Sequence, residues 1–290
     1  MSRLTRYLGA LLAALMLIVA LAVGWLKLHE DDLVFASARS KLSLVAELPT
    51  GTERVAIAVD GGSAIAGIVF PAQGALDTGY WVLLLHGNAA SAFAADQVRH
   101  GEVLRGAGFS VLSIDYRGFG MSPGVPSEAA MYADAEAAFD TLIHRGVAAE
   151  RIILLGHSLG SGPAVSLATR HRAAALVLFG AFTSIPDAAA ERYPWLPVRY
   201  VASVQFDSLA RMPLVHIPVV IAHSRDDTTI PYTHALKLYA AAPEPKRLLI
   251  FDSSSQDGFG GHVDALFDNV HSLEAALSAV LPQPLPQANR

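Results

Sequence analysis

The chain has 290 residues, of which 52% are hydrophobic and 16% charged, and it carries a net charge of −5 with no cysteine. A hydrophobic, weakly charged composition predicts a folded protein, and the acidic balance argues against nucleic acid as a partner. Without cysteine the chain has no disulfides, no thiolate nucleophile and no cysteine ligands for zinc or iron–sulfur clusters.

The first predicted element is an apolar helix, because Leu8–Leu26 contains no charged side chain. At about 1.5 Å per residue it would be about 28 Å long, close to the ~30 Å hydrocarbon core of a bilayer, which predicts one transmembrane helix. Arg3 and Arg6 precede it, so the positive-inside bias predicts a cytoplasmic amino terminus. A cleaved secretory signal is the alternative, since residues 20–22 (Ala-Leu-Ala) match a small-residue cleavage site. Both interpretations place the body of the protein on the outer, extracytoplasmic side.

Four regions are expected along the chain. They are a cytoplasmic stub with the transmembrane anchor at 1–30, a tether at 31–52, one large domain at 53–282 and a C-terminal tail at 283–290. A single domain is expected for the long region, because no repeat, second linker or low-complexity tract interrupts it.

Strands and helices alternate within the large domain. Eight short runs rich in Val, Ile, Leu and Phe predict β-strands at 54–59, 65–70, 80–85, 109–116, 151–155, 175–182, 219–223 and 247–251. Ala-rich stretches with charges at helical spacing predict helices at 91–105, 127–145, 159–170, 234–241 and 263–281. This order predicts an α/β fold, with a mostly parallel eight-stranded sheet, helices on both of its faces, and a ligand crevice at the carboxyl ends of the strands.

A nucleophile is predicted at Ser158, within residues 156–160 (GHSLG), between a predicted strand and a predicted helix. The G-x-S-x-G pattern in that context is typical of a sharp turn that presents a serine at the top of a sheet. Residues 120–124 (GMSPG) have the same pattern. We reject Ser122, because Pro123 has no backbone N–H to offer an oxyanion and a turn-rich stretch follows instead of a helix.

The acid and the base of such a triad follow the serine along the chain. Asp226 and Asp227 are adjacent after the seventh strand, and the spacing to Pro231 favours Asp227, with Asp226 as the alternative. Three histidines come after them: His234, His262 and His271. We choose His262 as the base, because it lies in a glycine-rich loop (258–262) that can turn toward Ser158, whereas the other two fall on predicted helices.

Two backbone N–H groups are expected to form an oxyanion hole. One belongs to Leu159, directly after the nucleophile, and the other to Asn88, in the loop that follows the third strand. Ala89 is an alternative to Asn88. Nothing in the pattern calls for a cofactor or a metal ion.

These segments resemble the α/β-hydrolase superfamily and, more narrowly, the BEM46-like membrane-anchored hydrolases, relatives of the α/β-hydrolase-domain proteins that include protein depalmitoylases. The matching segments lie within Val55–Leu281 and run LLLHGNAAS, SIDYRGFGMSPGVPSE, ILLGHSLGSG, FTSIPDAAAERYPWLPV, VVIAHSRDDTTIPYTHALKLY and GGHVDAL. Ser224 departs from the family pattern, which often has glycine there. The resemblance implies that Asp115 and Arg117 brace the loop beside the site.

The resemblance also implies a short helical cap at 184–217. Its larger side chains include Tyr193, Trp195, Leu196 and Phe206, which would suit an acyl chain or ordinary packing against the sheet.

The expected function is therefore a membrane-anchored serine hydrolase of an ester or thioester, whose substrate is a small molecule or an acylated one. Ser158 would attack the carbonyl, His262 would transfer the proton and Asp227 would orient His262. A serine peptidase of the aminopeptidase kind and a non-catalytic, membrane-tethered pseudo-hydrolase are the alternatives. The membrane is the expected partner of the N-terminal helix, and the sequence does not indicate an oligomeric state.

Overall fold

The computed structural model describes residues 3–35, 44–73, 77–88, 90–252, 258–282 and 285. Within these residues, eight β-strands form one sheet. They are β1 (Glu53–Val59), β2 (Ser63–Phe70), β3 (Trp81–Leu85), β4 (Ser110–Ile114), β5 (Ile152–His157), β6 (Ala175–Phe179), β7 (Val219–Ser224) and β8 (Lys246–Phe251).

The strands lie across the sheet in the order β1-β2-β4-β3-β5-β6-β7-β8. Strands β1 and β2 are antiparallel to their neighbours, and the other strands pair in parallel. Leu85 of β3 is in register with Gly156 of β5, and His157 of β5 with Phe179 of β6. The loops that follow β3, β5 and β6 therefore emerge side by side at one edge of the sheet.

Ten α-helices lie in the described part of the chain. They are α1 (Arg3–Val34), α2 (Ala95–Gly106), α3 (Glu128–His144), α4 (Ser161–Ala168), α5 (Ile185–Arg192), α6 (Val198–Val201), α7 (Ser208–Arg211), α8 (Thr233–Ala241), α9 (Ala265–Asp268) and α10 (Val270–Val280). The Ser127 hydroxyl begins α3 by accepting a hydrogen bond from the Ala130 N–H at 3.1 Å.

Apolar side chains pack on both faces of the sheet. Leu83 and Leu154 belong to a core that includes α3 and α4, whereas Leu84 and Leu155 belong to a second core that includes α2 and α10. Consecutive residues of a strand point to opposite faces, so strands covered on both sides are apolar throughout. The predicted α/β architecture, mostly parallel with helices on both faces, is confirmed.

Two predicted helices differ from the observed ones. The stretch 263–281 contains α9 and α10, because Asn269 between them has non-helical backbone angles (φ −117°, ψ 38°). The stretch 159–170 begins as a 3-10 turn over 158–160, and α4 starts only at Ser161.

The amino-terminal helix is longer than the apolar segment that predicted it. It runs without interruption from Arg3 to Val34 and is long and apolar enough to cross a membrane. None of the residues in its most apolar stretch is buried against the rest of the protein. The sequence predicts a tether that begins at residue 31. In the structure, residues 31–34 instead continue the helix and Phe35 is buried in the core. The region 184–217 holds α5, α6 and α7, as expected for a short helical cap.

Candidate active site

Ser158 lies at a sharp turn between β5 and α4, with a left-handed backbone φ of 49°. Close backbone contacts require glycine two residues before Ser158 and two residues after it. A Cβ on Gly156 would lie 2.6 Å from the Gly160 carbonyl oxygen, and a Cβ on Gly160 would lie 2.1 Å from the Leu85 carbonyl oxygen. A left-handed conformation at a non-glycine residue is strained, and such strain is concentrated at functional sites.

The structure brings Ser158, His262 and Asp227 into one hydrogen-bonded chain. His262 Nε2 lies 3.0 Å from Ser158 Oγ, and His262 Nδ1 lies 2.6 Å from Asp227 Oδ2. His262 and Asp227 are buried. With Nδ1 donating to the carboxylate, Nε2 is left to accept the serine proton, which is the arrangement that activates a serine nucleophile.

Contacts from three directions position the loop that carries His262. His157 Nε2 lies 2.8 Å from the His262 carbonyl oxygen and donates to it. A Cβ on Gly180, after β6, would lie 3.0 Å from two ring atoms of His262, and a Cβ on Gly260 would lie 1.8 Å from the Asp226 carbonyl oxygen. The loop therefore packs closely against the ends of β6 and β7, so the imidazole is held in place.

Asp227 is held ionised by donors on several sides. Its Oδ1 accepts the backbone N–H groups of Thr229 and Ile230, each at 2.8 Å, and His223 Nε2 lies 3.0 Å from Oδ2. Burial by itself raises the pKa of the carboxyl, but hydrogen bonds from His223, His262 and Ile230, together with the charge of His262, outweigh burial and hold the pKa of Asp227 well below its ordinary value.

His157 is kept neutral by its surroundings. Its ring is buried and stacked on Phe179 at a centroid distance of 5.2 Å. Burial, with smaller contributions from neighbouring histidines, lowers the pKa of His157 well below its ordinary value. A neutral imidazole with its proton on Nε2 is the form that donates to the His262 carbonyl.

The rival candidates have other partners. Ser122 donates to the Asp115 carbonyl at 2.7 Å and accepts the Ala66 N–H at 2.9 Å, so its hydroxyl stabilises a loop. Asp226 is exposed. His234 Nδ1 accepts the Thr183 N–H at 3.1 Å.

The third histidine of the sequence prediction, His271, is also engaged away from Ser158. Its side chain is exposed, and its Nδ1 lies 2.6 Å from Glu274 Oε2 within α10.

The loop after β3 passes directly beside the nucleophile. A Cβ on Gly87 would lie 3.0 Å from the Ser158 Cβ. Asn88 follows, and its side-chain Nδ2 donates to the Val34 carbonyl at the end of α1 at 2.7 Å. Leu159, the other predicted oxyanion donor, is buried next to Ser158. Ala89 lies outside the described residues.

Asp115 and Arg117 connect the loops around this edge of the sheet. The buried Asp115 carboxylate accepts the N–H groups of Ala92 at 2.6 Å and Met121 at 2.8 Å. Arg117 donates from Nε and Nη2 to Asp134 Oδ1 on α3, at 2.8 and 2.6 Å. Both side chains are thus bound to protein partners.

A cavity of about 530 Å³ opens onto Ser158. Its lining is largely apolar and comes from the active-site loops, the cap and α1. Tyr193, Trp195 and Leu196 of the cap line the cavity. Phe206 does not line it: its ring is buried in the core and packs so closely on Gly162 that a Cβ there would lie 2.2 Å from the ring. Across the described ranges, no group of three or more His, Asp or Glu side chains is arranged to hold a metal ion.

Three residues at the site are absent from the sequence-based prediction: His223, His157 and Glu30. His223 is the penultimate residue of the buried strand β7 and lies four residues before Asp227, a position from which its side chain faces the same crevice. Glu30 lines the cavity from α1. The sequence feature that could have indicated Glu30 is the four-residue spacing of Leu26, Glu30 and Val34. This spacing places them on one helix face that continues past the membrane-length apolar segment.

Comparison with known proteins gives relatives for most of the chain. A family model described as serine aminopeptidase, S33, matches residues 79–206. An uncharacterized protein of Mycobacterium tuberculosis is 39% identical over 220 residues, which are 74% of this chain and 76% of that protein. Alpha/beta hydrolase domain-containing protein 17C of Xenopus tropicalis is 37% identical over 165 residues, 57% of this chain and 52% of that protein. The chain thus spans about half the length of the second relative.

Solved structures share the fold at low sequence identity. An esterase of Pyrococcus furiosus superimposes with a TM-score of 0.62 at 18% identity, over 82% of this chain and 100% of that chain. A serine hydrolase without a lid from Xanthomonas campestris superimposes with a TM-score of 0.60 at 14% identity, over 81% of this chain and 98% of that chain.

Proposed function

Because the chain belongs to the α/β-hydrolase family, we propose that it is a membrane-anchored serine hydrolase that cleaves a carboxylic ester or thioester. The observation that supports this most is the hydrogen-bonded chain Ser158–His262–Asp227 at the wall of an apolar cavity. A pseudo-hydrolase is disfavoured, because nucleophile, base and acid are all present at hydrogen-bonding distances.

Acylation begins when Ser158 Oγ attacks the substrate carbonyl carbon while His262 Nε2 accepts its proton. The tetrahedral oxyanion binds the backbone N–H groups of Leu159 and Asn88, each worth about 2.7 to 4 kcal/mol in such sites. The side-chain amide of Asn88 is bound to Val34, so the backbone N–H is its proposed donor. Asp227 stabilises the imidazolium that forms.

Departure of the leaving group completes acylation, and hydrolysis of the acyl-enzyme follows. As the intermediate collapses, the bond from carbon to the leaving oxygen or sulfur breaks, and His262 returns the proton to that atom. Water then attacks the acyl-Ser158 ester, again with His262 as base, and releases the carboxylic acid and the free serine.

An ester or thioester fits the cavity better than an aminoacyl substrate. Among the described residues that line the cavity, Glu30 is the one carboxylate available to bind an α-amino group. Its Oε1 already accepts the backbone N–H groups of Ser203 and Val204 at 2.6 and 2.9 Å, and its Oε2 lies 3.7 Å from Lys27 Nζ. A serine aminopeptidase is the second candidate function, because the family model that matches residues 79–206 is described by that activity.

A fluorophosphonate probe tests the nucleophile. The wild type is expected to form an adduct on Ser158 and to hydrolyse p-nitrophenyl esters or acyl thioesters, and Ser158→Ala is expected to lose both. Ser122→Ala is the matched control, because it removes the serine of the second G-x-S-x-G sequence and is expected to keep the adduct. Turnover of aminoacyl amides without turnover of esters would favour the peptidase.

The choice between Asp226 and Asp227 is tested by paired amide variants. Asp227→Asn is expected to lower kcat by about 10⁴-fold, since the amide supports the wrong imidazole tautomer. Asp226→Asn is expected to stay near the wild type, because Asp226 is exposed. The opposite result would move the acid to Asp226.

We also propose that α1 is retained as the membrane anchor, with the amino terminus cytoplasmic and the catalytic domain on the outer side. Arg3 and Arg6 before the apolar segment support this orientation. The intact mass of protein extracted from membranes tests retention, since cleavage after Ala22 would remove the first 22 residues. Protease protection in sealed vesicles tests the side on which the domain lies.

A further inference from the structure

The last two turns of α1 are packed on the catalytic body. Leu26, Glu30 and Val34 recur at the spacing of one helix face, and all three are at least partly buried, while Leu28 on another face is 83% exposed. The helix thus has an apolar segment of membrane length followed by a segment that docks on the protein.

Contacts to the cap, to the loop after β3 and to the core hold the docked segment in place. The Glu30 carboxylate accepts the backbone N–H groups of Ser203 and Val204 in the cap. The Val34 carbonyl accepts the Asn88 side chain. Phe35 is 2% exposed and packs edge-on against a core aromatic ring. The end of α1 is therefore bound both to the cap and to the loop that carries the proposed oxyanion donor.

The same segment lines the cavity that contains Ser158. The α1 side of the cavity faces α5 and the residues that follow it. It is formed by four apolar side chains and one carboxylate: Trp25, Leu26, Leu33, Val34 and Glu30. Trp25 and Leu26 are also the last residues of the membrane-length apolar segment. The apolar segment that is long enough to cross a bilayer therefore ends in residues that line the cavity.

Distances along the helix place the cavity near the bilayer surface. Lys27–Val34 would extend about 12 Å beyond the apolar segment at about 1.5 Å per residue. The cavity volume falls within the about 300 to 1,000 Å³ of small-molecule sites. Its apolar lining would bind hydrocarbon, and its α1 side continues into a helix surface that is apolar along its length.

We propose that α1 forms one wall of the acyl-binding pocket, and that the acyl chain of a membrane lipid ester reaches Ser158 along it from the bilayer. This inference rests on the proposed hydrolase function and deepens it. The helix is then part of the substrate-binding site as well as an anchor, and substrates with long chains gain contacts that short ones do not.

The test compares two tryptophan variants of the full-length, membrane-reconstituted protein. Leu33→Trp puts a larger side chain into the cavity wall, and Leu28→Trp puts the same side chain on the exposed face of the same helix. The readout is the ratio of kcat/KM for p-nitrophenyl palmitate to that for p-nitrophenyl butyrate. Each buried methylene contributes about fourfold, so excluding three or four of them lowers the ratio by about 10²-fold in Leu33→Trp. Leu28→Trp is expected to keep the wild-type ratio.

A photocrosslinking probe gives a second measurement. A long-chain alkyl fluorophosphonate with a diazirine on the chain would attach to Ser158 and, on irradiation, crosslink to peptides that contain Trp25–Val34. Equal chain-length ratios in the two variants, or Ser158 adducts without crosslinks to α1, would overturn the pocket inference alone. Absence of both Ser158 labelling and ester turnover in the wild type would instead overturn the proposed hydrolase function.

Discussion

His223 and Asp227 are joined by a hydrogen bond in which His223 Nε2 lies 3.0 Å from Asp227 Oδ2, the carboxylate oxygen that also faces His262. The same Nε2 lies 2.8 Å from the Ile230 carbonyl oxygen, which can only accept, so the proton is on Nε2 and His223 donates. His223 is fully buried at the end of β7. It is therefore a positioning residue for the carboxylate.

Replacing His223 is expected to lower kcat with little change in KM. His223→Phe keeps a ring in the space but removes the donor, and a hydrogen bond to a charged group is worth about 1.5 to 3 kcal/mol, or about 10- to 100-fold in rate. His223→Gln, which can donate from its amide, is expected to recover part of the loss. Steady-state kinetics with a soluble ester measure both; a rise in KM at unchanged kcat would contradict the assignment.

Gly160→Ala is expected to destabilise the fold and lower activity, although its backbone angles (φ −64°, ψ −12°) suit any residue. The added Cβ would lie 2.1 Å from the backbone oxygen of Leu85, so β3 and the turn at Ser158 would have to separate. Overpacking of this kind costs about 1 to 3 kcal/mol. Thermal unfolding measures it against Gly106→Ala in α2, whose Cβ would meet nothing within 4 Å. Equal melting temperatures would contradict the steric argument.

Stability is expected to fall as the pH drops below about 6.5, the ordinary pKa of histidine. His157 has a folded-state pKa well below that value because it is buried. Below pH 6.5 the unfolded chain therefore binds a proton that the folded chain does not, and this favours unfolding by up to about 1.4 kcal/mol per pH unit.

Two glutamine variants isolate this contribution. His157→Gln is expected to lose less stability than the wild type between pH 7 and pH 5, and each protein is compared with its own value at pH 7. His216→Gln, at an exposed position that makes no ion pair within the described part of the chain, is the matched control. Thermal unfolding across the pH range gives the slopes, and parallel curves for all three proteins would show that His157 does not contribute.

Glu30→Ala is expected to loosen the contact between α1 and the cap. The variant leaves the Ser203 and Val204 N–H groups without their charged acceptor, and we expect a loss of about 1.5 to 3 kcal/mol of unfolding free energy. Denaturation in detergent measures the loss, and limited proteolysis is expected to cut more rapidly near residues 199–207. Asp31→Ala, at the exposed neighbouring position, is the control. Identical proteolysis of the two variants would show that Glu30 does not hold the cap.

The sequence predicts the local features of the site well, because each depends on a few neighbouring residues. Gly156 and Gly160 indicate the turn at Ser158, and the missing N–H of Pro123 argues against Ser122. In the structure Ser158 has a left-handed φ of 49°, while the Ser122 hydroxyl is bonded to backbone groups. The boundary at Asn269 is less predictable, since apolar residues at helical spacing continue through it. There Asn269 has non-helical backbone angles, and its side-chain amide donates to the Ala265 carbonyl at 2.8 Å.

The sequence by itself determined the class of fold, since apolar runs alternating with helical stretches can bury themselves only as a sheet covered on both faces. Only the tertiary structure decided which side chains meet. His262 is 104 residues from Ser158 along the chain, and Glu30 is 173 residues from Ser203, so neither contact leaves a local pattern. These contacts arise because parallel strands end at one edge of the sheet and α1 docks there. For the same reason, the sequence predicted α1 as an anchor, and its place in the wall of the cavity is a property of the folded chain.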